Sequence, residues 1–335
     1  MKHSILLTGG AGYIGSHTYV ALVNAGYDVV ILDNFSNSKR PIIKRLKQIT
    51  KQKKIFCYTG SIENPHILKQ IFSDHDISAV IHFAAKKSVN ESIVQPLEYT
   101  RCNFLGLVNL LEQMEVASIK KMVFSSSATI YGNTDGHKID ETATRSYANP
   151  YGFTKLIGEQ LVEQVAASSD SIFGILRYFN PVGAHPSGLI GEDPIGQPSN
   201  VMPLLAQVAS GVFPHLKVFG ADFSTPDGTG VRDYIHVADL AEGHVASLKG
   251  LFETGQGHTI NLGTGIGTSV LDLVNTFEAV NGCSVPTLIS ERRPGDVAAC
   301  VADPQKALDV LGFKTHHDLA DMCRSAWQWE KRRSL

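Results

Sequence analysis

Ser4-Ile5-Leu6-Leu7-Thr8-Gly9-Gly10-Ala11-Gly12-Tyr13-Ile14-Gly15 is a short apolar run, then a glycine turn, then the opening of a longer stretch of helical length. That order predicts the first strand–helix unit of an α/β sheet. Glycines at 9, 12 and 15 let backbone N–H groups approach a pyrophosphate, which then rests on the positive end of the helix. Gly15 also lets the helix pack closely on the strand. A glycine-rich turn can be no more than a tight turn, so the next acid matters. Asp33 ends the second apolar run, 18 residues after Gly15. A carboxylate near that spacing takes ribose hydroxyls and repels the additional phosphate of NADP. The unit therefore reads as a dinucleotide site that favours NAD.

Outward from this unit, strand-length runs at 29–32, 54–57, 79–83, 121–125 and 173–178 alternate with helix-length stretches at 39–51, 65–72, 97–116 and 150–166. Continuous apolar strands separated by helices predict a doubly wound parallel sheet of Rossmann type, covered on both faces. After Asn180 the texture changes. Residues 181–200 are dense in Gly and Pro without periodicity, and mixed short elements follow. The expected organisation is a dinucleotide-binding domain over 1–180, rejoined by about 233–263, and a smaller irregular α/β substrate lobe over 181–335.

Composition narrows the class. The 335 residues carry 30 basic and 32 acidic side chains, so there is no basic bias for nucleic acid. Five cysteines without Cys-x-x-Cys spacing disfavour a disulfide framework or structural zinc, and no histidine cluster has metal-ligand spacing. The apolar run at 5–7 is too short for a signal peptide or a membrane span. These features predict a soluble, cytoplasmic chain with no metal.

Tyr151 and Lys155 lie four apart in a predicted helix and so share a face. Asn149 fits the N-cap and Pro150 the first helical position. A free tyrosine is a poor base at neutral pH, with a pKa near ~10. A nearby ammonium, the positive helix end and a positive nicotinamide would each favour its phenolate. Of the 10 tyrosines, only Tyr151 has Lys four residues on. Ser125-Ser126-Ser127 follows the Val123-Phe124 strand, at a carboxyl end where ligands of such sheets bind. A surface i,i+4 pair and a hydroxyl-rich strand end are the plainer alternatives. With the glycine loop in place, Ser127, Tyr151 and Lys155 are read as a catalytic triad that moves a proton on an alcohol or sugar hydroxyl.

These stretches, with His82–Lys87, Arg177–Gly188, Gly228–His236, Asn261–Gly263 and Arg292–Asp296, make the chain resemble the extended short-chain dehydrogenase/reductases. It is similar more narrowly to the UDP-glucose 4-epimerase family, over nearly its whole length. The resemblance implies inversion of sugar C4 by oxidation and re-reduction with NAD, interconverting UDP-glucose and UDP-galactose. It assigns to NAD Gly9, Gly12, Tyr13, Ile14, Gly15, Asp33, Asn34, Asn37, Ser61, Ile62, Phe83, Ala84, Lys87 and Asn103, with Tyr151, Lys155 and Phe179 beside it. Ser127 and Tyr151 fall to the sugar hydroxyls. Asn180, Asn200, Val201, Lys217, Phe219, Arg232, Arg293 and Asp296 fall to the UDP part, where guanidinium forks match diphosphate oxygens. Arg232 or Arg293 alone would read as a surface ion pair. The resemblance also suggests that the 97–116 and 156–166 helices pair across a homodimer, although apolar stripes of that kind can equally be intramolecular core.

The chain departs from the family pattern in places. Ser61 stands where the family commonly has Asp near the adenine amino group, which predicts modest weakening. Ala85 replaces a frequent Gly. Cys300 is small where plain-hexose members often carry Tyr, and a small side chain leaves room for an acetamido group at sugar C2. This predicts activity on UDP-GlcNAc and UDP-GalNAc as well; Cys300 can also be read as a buried small hydrophobe. Two rivals remain. A nucleotide-sugar 4,6-dehydratase would need an acid/base pair after the serine, where Ala128-Thr129 stand. A non-catalytic NAD-binding sensor could use the same fold.

Overall fold

The computed structural model describes residues 3–132, 138–293 and 296–333. Pro294 and Gly295 of the Arg292–Asp296 motif lie outside the described residues. The chain forms two compact units. The first contains the chain up to Gly132, Thr144–Arg177 and Ala241–Ile260; the second contains Tyr178–Leu240, the chain from Asn261 onward and the short segment ending at Ala143.

The first half alternates β1 (Ser4–Thr8), α1 (Tyr13–Asn24), β2 (Asp28–Asp33), α2 (Pro41–Thr50), β3 (Phe56–Thr59), α3 (Pro65–Asp74) and β4 (Ile77–His82). Next come α4 (Val89–Val94), α5 (Pro96–Thr100), a π-helical turn (Arg101–Leu105) and α6 (Gly106–Val116). β5 (Lys121–Ser127), α7 (Pro150–Ser168) and β6 (Ile172–Tyr178) follow. β7 (Asn180–Val182), α8 (Val201–Ala209), β8 (Leu216–Phe219), β9 (Val231–His236), α9 (Val237–Thr254) and β10 (His258–Leu262) come next. β11 (Gly267–Ser269), α10 (Val270–Asn281), β12 (Thr287–Ser290), β13 (Ala299–Cys300), α11 (Gln305–Leu311) and α12 (Leu319–Arg333) close the chain.

Among the described residues the main sheet has seven strands in the order β10-β6-β5-β4-β1-β2-β3. The β1–β2, β1–β4, β2–β3 and β4–β5 pairs are parallel. This is the doubly wound arrangement, and its strand order reverses between β1 and β4, where ligands of such sheets bind. The fold class read from the sequence is therefore the one observed. Leu6, Val30, Leu32, Val80, Met122 and Phe124 pack with Leu107, Leu110 and Val162 into one core. In the second unit Met202, Leu205, Leu216, Tyr234, Leu273, Phe277 and Met322 make another.

Three local readings need correction. The single helix expected over 97–116 is divided: Pro96 starts α5, and a wider π turn at Arg101–Leu105 inserts before α6. That turn aims Asn103 at a neighbouring loop and at α7. β3 runs over 56–59 rather than 54–57, because pairing with β2 sets Val30 opposite Phe56 and Asp33 opposite Thr59. The Gly/Pro-rich stretch begins with an ordered strand, since Asn180–Val182 pairs with Tyr234–His236.

Candidate active site

In the first unit, Gly9 adopts φ +70°, a left-handed backbone that glycine tolerates, and a Cβ there would lie 2.7 Å from the Ala84 nitrogen. A Cβ on Gly15 would strike the Gly9 carbonyl oxygen and stand 2.8 Å from Gly10 Cα. Glycine at these two positions is what allows α1 to start directly against the loop. Asp33 is buried at the end of β2. Its Oδ2 accepts the Ala11 N–H at 3.0 Å, while Oδ1 accepts the Phe35 N–H at 2.8 Å and the Ser38 hydroxyl at 3.0 Å. A carboxylate has about four acceptor sites, so one on Oδ2 stays open for a ribose hydroxyl. The cradle and the acid fit a dinucleotide.

Asn103 ties the surrounding parts together. Its Oδ1 accepts the Lys86 N–H at 2.7 Å, and its Nδ2 donates to the Lys86 carbonyl and the Thr154 hydroxyl, both at 3.0 Å. Tyr13 and Ile14 open α1, and Ala84 N–H reaches Thr8 Oγ1 at 3.4 Å. Phe83 packs on His244 with ring centroids 4.7 Å apart. Asn34, Asn37 and Lys87 are exposed, whereas Ile62 is buried with its carbonyl held by Asn109. Ser61 turns its hydroxyl to the Glu63 N–H and carboxylate. Between the ends of β1 and β4, Thr8 Oγ1 meets His82 Nδ1 at 2.7 Å. Burial, with the Lys155 charge adding to it, pushes His82 down to about 3, so this imidazole is neutral.

α7 starts as the sequence predicts. Asn149 Oδ1 accepts the Gly152 N–H at 2.9 Å and Pro150 occupies the first turn. Tyr151 is half-buried and hydrogen-bonded to Ser127; the Lys155 ammonium lies 5.9 Å from its ring centroid. Lys155 is buried and donates to the Ser125 carbonyl at 2.7 Å. Ser127, Tyr151 and Lys155 are thus brought together. Burial pushes the Tyr151 phenol up to about 12, with the Ser127 hydrogen bond pulling the other way, and lowers Lys155 to about 8. The expected lowering of Tyr151 by its lysine does not outweigh this, because desolvation of the phenolate is the larger effect.

In the second unit, Arg232 Nη1 donates to the Val231 and Val297 carbonyls at 2.8 and 2.9 Å. Its Nη2 lies 3.9 Å from Asp296, which also accepts Arg293 Nε at 2.9 Å. The Arg293 guanidinium covers the Phe219 ring at 4.8 Å, and Cys300 sits opposite Arg232 where β13 pairs with β9. Cys300 is half-buried, and burial pushes its thiol up to about 11. Arg232, Arg293, Asp296, Phe219 and Cys300 therefore form one group. Asn180 pairs with Tyr234, Asn200 turns to Glu192 at 2.7 Å, Val201 begins α8, and Lys217 is exposed on β8. Phe179 is buried, its N–H on the Leu262 carbonyl.

Three framing residues were missed. Asp233 is fully buried and accepts the N–H and hydroxyl of Thr264 and the N–H groups of Gly265 and Ala302, so it locks β9 to its neighbours. Its four donors do not cancel the cost of burial, which raises its pKa. Arg292 clasps Asp222 and lies over the Phe223 ring at 4.1 Å. Glu159, one turn after Lys155, is buried among arginines; the spacing Tyr151, Lys155, Glu159 is a sequence signal that finds it. Among the described residues, no cluster of His, Cys, Asp or Glu could hold a metal ion, and no helix is long and apolar enough to cross a membrane.

Residues 6–326 match the family model described as GDP-mannose 4,6 dehydratase. The UDP-glucose 4-epimerase of Bacillus subtilis is 49% identical, covering 98% of this chain and 96% of that protein. The solved UDP-glucose 4-epimerase of Stenotrophomonas maltophila, with NAD and formylated UDP-arabinopyranose bound, is 48% identical with TM-score 0.97, covering 99% of each chain. That of Bifidobacterium longum, in complex with NAD+ and UDP, is 44% identical with TM-score 0.95, again covering 99% of each chain. With the glycine cradle, the Ser–Tyr–Lys group and this likeness along its whole length, the chain belongs to the UDP-glucose 4-epimerase family, inside the broader family of that dehydratase model.

Proposed function

We propose that this chain interconverts UDP-glucose and UDP-galactose by inverting sugar C4, with NAD as its resident cofactor. The hydrogen-bonded Ser127–Tyr151 pair above the buried Lys155 is the observation that carries the reading. When bound, NAD supplies the hydride acceptor and a positive nicotinamide ring. The N–H groups around Gly9, Gly12 and Gly15 hold the pyrophosphate, and Asp33 takes the adenosine ribose. Tyr151 Oη takes the proton of the 4-OH, directly or through Ser127, and returns it when the ketone is reduced. Lys155 orients the nicotinamide ribose and balances the phenolate charge. Arg232 and Arg293 hold the diphosphate, Phe219 offers a face to the uracil, and the hexose is held loosely enough to turn.

The dehydratase alternative lacks its acid. Thr129, which stands after the serine, spends its N–H and hydroxyl on Ser127 Oγ at 3.2 and 3.0 Å, and Ala128 is buried. Proton NMR of the purified chain with UDP-galactose tests the reading. The expected result is appearance of the gluco epimer; no epimer after NAD is supplied overturns it.

The substrate range extends to UDP-GlcNAc and UDP-GalNAc, supported by the small Cys300 beside Arg232. Cys300→Tyr is expected to lower kcat/KM for UDP-GalNAc by about 100-fold or more, the scale of an overfilled pocket, and to spare UDP-galactose within about threefold. Parallel assays of both substrates decide this, and equal effects on the two would rule out a size gate. Exposed Leu97, Leu105 and Val116 support a second copy of the chain packing along the 97–116 stretch. The five free cysteines support work in the reducing cytoplasm.

A further inference from the structure

Tyr151, Lys155 and Glu159 recur at four-residue intervals on one face of α7, and the last of them is absent from the reaction as described above. Glu159 is fully buried, 0% exposed. A buried carboxylate is costly unless its oxygens are filled by donors. Here Arg177 forks onto it, with Nε 2.9 Å from Oε1 and Nη2 2.7 Å from Oε2. Arg145 Nη1 adds a contact at 3.3 Å, and the Ser126 hydroxyl donates to Oε1. Arg177 in turn donates to the Tyr131 hydroxyl at 2.9 Å, and Arg145 also pairs with Glu163 at 2.7 Å.

Every residue at the end of β5 is therefore tied to α7. The Ser125 carbonyl takes the Lys155 ammonium, Ser126 donates to Glu159, and Ser127 bonds Tyr151. The middle tie fixes the strand end from which the other two depart. We propose that Glu159 is a positioning residue for the C4 chemistry: it holds the Ser125–Ser127 strand end and the Lys155 ammonium where Tyr151 and Ser127 need them. This rests on the epimerase reading and adds a residue to its machinery.

The charges around Lys155 make the role measurable. Facing it are Tyr151 and Glu159 on α7, Cys102 on the π turn and His82 on β4, with Arg177 on β6 and Arg145 behind Glu159. Burial lowers Lys155 to about 8, and Cys102 and then Glu159 work against that loss. Neutralising Glu159 lowers Lys155 further, so the alkaline limb of the pH–rate profile moves to lower pH.

The test uses NAD-loaded enzyme and UDP-galactose. Glu159→Gln is expected to lower kcat about 10- to 100-fold, the cost of roughly an ångström of misplacement. KM should stay within about twofold, and the alkaline limb should fall by about one unit. Glu159→Asp, which keeps the charge, should return the limb to its original position. Glu159→Gln leaves Arg177 buried without a counter-charge and can unfold the chain, so Ser126→Ala is the second variant. It removes the strand tie alone and should lower kcat several-fold with the limb in place. A folded Glu159→Gln enzyme with an unmoved limb overturns the proposal, as does a Ser126→Ala enzyme of unchanged kcat if Glu159→Gln does not fold. Absence of epimerisation by the unaltered chain overturns the parent reading instead.

Discussion

Tyr151→Phe lowers kcat for epimerisation of UDP-galactose about a thousandfold or more, within the range that a positioned acid/base group supplies. UDP-sugar affinity stays within about threefold, because the ring remains on the first turn of α7 and the residues proposed to hold UDP are untouched. The variant removes one oxygen. Ser127 keeps its bonds from Thr129 but loses its bond to Tyr151. A serine hydroxyl is far too weak a base to replace the phenol at neutral pH. Lys155 cannot take over either: lowered only to about 8, it is mostly an ammonium at neutral pH and has no lone pair with which to take a proton.

The phenol needs help to ionise. Burial holds it near 12 in the chain alone, and Ser127 opposes that only in part. The proton transfer therefore depends on positive charge close to the ring, of which the chain contributes Lys155 at 5.9 Å and the first turn of α7. Rates and titrations of UDP binding, measured on the same preparation, separate the roles. A variant that turns over at a near-wild-type rate removes Tyr151 from the proton transfer. A variant that also loses UDP binding marks the tyrosine as structural.

The parts of this site that could be read from sequence are those built on local spacing. The glycine turn, Asp33 and the Tyr151–Lys155 pair each sit within one strand–helix unit, so order along the chain determines their geometry. Asn149 and Pro150 announced the start of α7 for the same reason. Asp233 gave no such signal, because its four donors come from Thr264, Gly265 and Ala302, residues 31 to 69 positions away. The Glu159–Arg177 fork is half legible: the glutamate follows the helical spacing, but its arginine comes from the next strand. The π turn was missed although one extra residue shifts the apolar phase by about 100°, because α5 before it is only 5 residues long, too short to set a phase against which the shift could be read. Asn103 was reached through family resemblance, and its clamp on Lys86 and Thr154 shows what that resemblance encodes physically.

Gly15→Ala sets local propensity against packing. At an ordinary helix position alanine is more favourable than glycine by about 1 kcal/mol. Here its methyl carbon would meet the Gly9 carbonyl oxygen, with Gly10 Cα at 2.8 Å and the Gly10 carbonyl carbon at 3.1 Å. All three are backbone atoms, so no side chain can swing aside and α1 must move off the loop. Overpacking of this kind costs about 1–3 kcal/mol, which offsets the propensity gain and leaves a net loss. The larger effect falls on the cofactor. The loop N–H groups and the helix end act on a pyrophosphate only at hydrogen-bond range, and an ångström of displacement forfeits several such bonds at once. NAD affinity is expected to fall at least about 100-fold, equivalent to ~2.7 kcal/mol. Gly12→Ala is the control for the steric part, since its nearest neighbour would be the Gly9 oxygen at 3.3 Å. The NAD content of each variant after gel filtration, and its Tm with and without added NAD, measure both effects. A Gly15→Ala chain that retains NAD in full and melts with the unaltered protein would show that α1 can retreat freely, and the close helix–loop contact would then carry no role in binding.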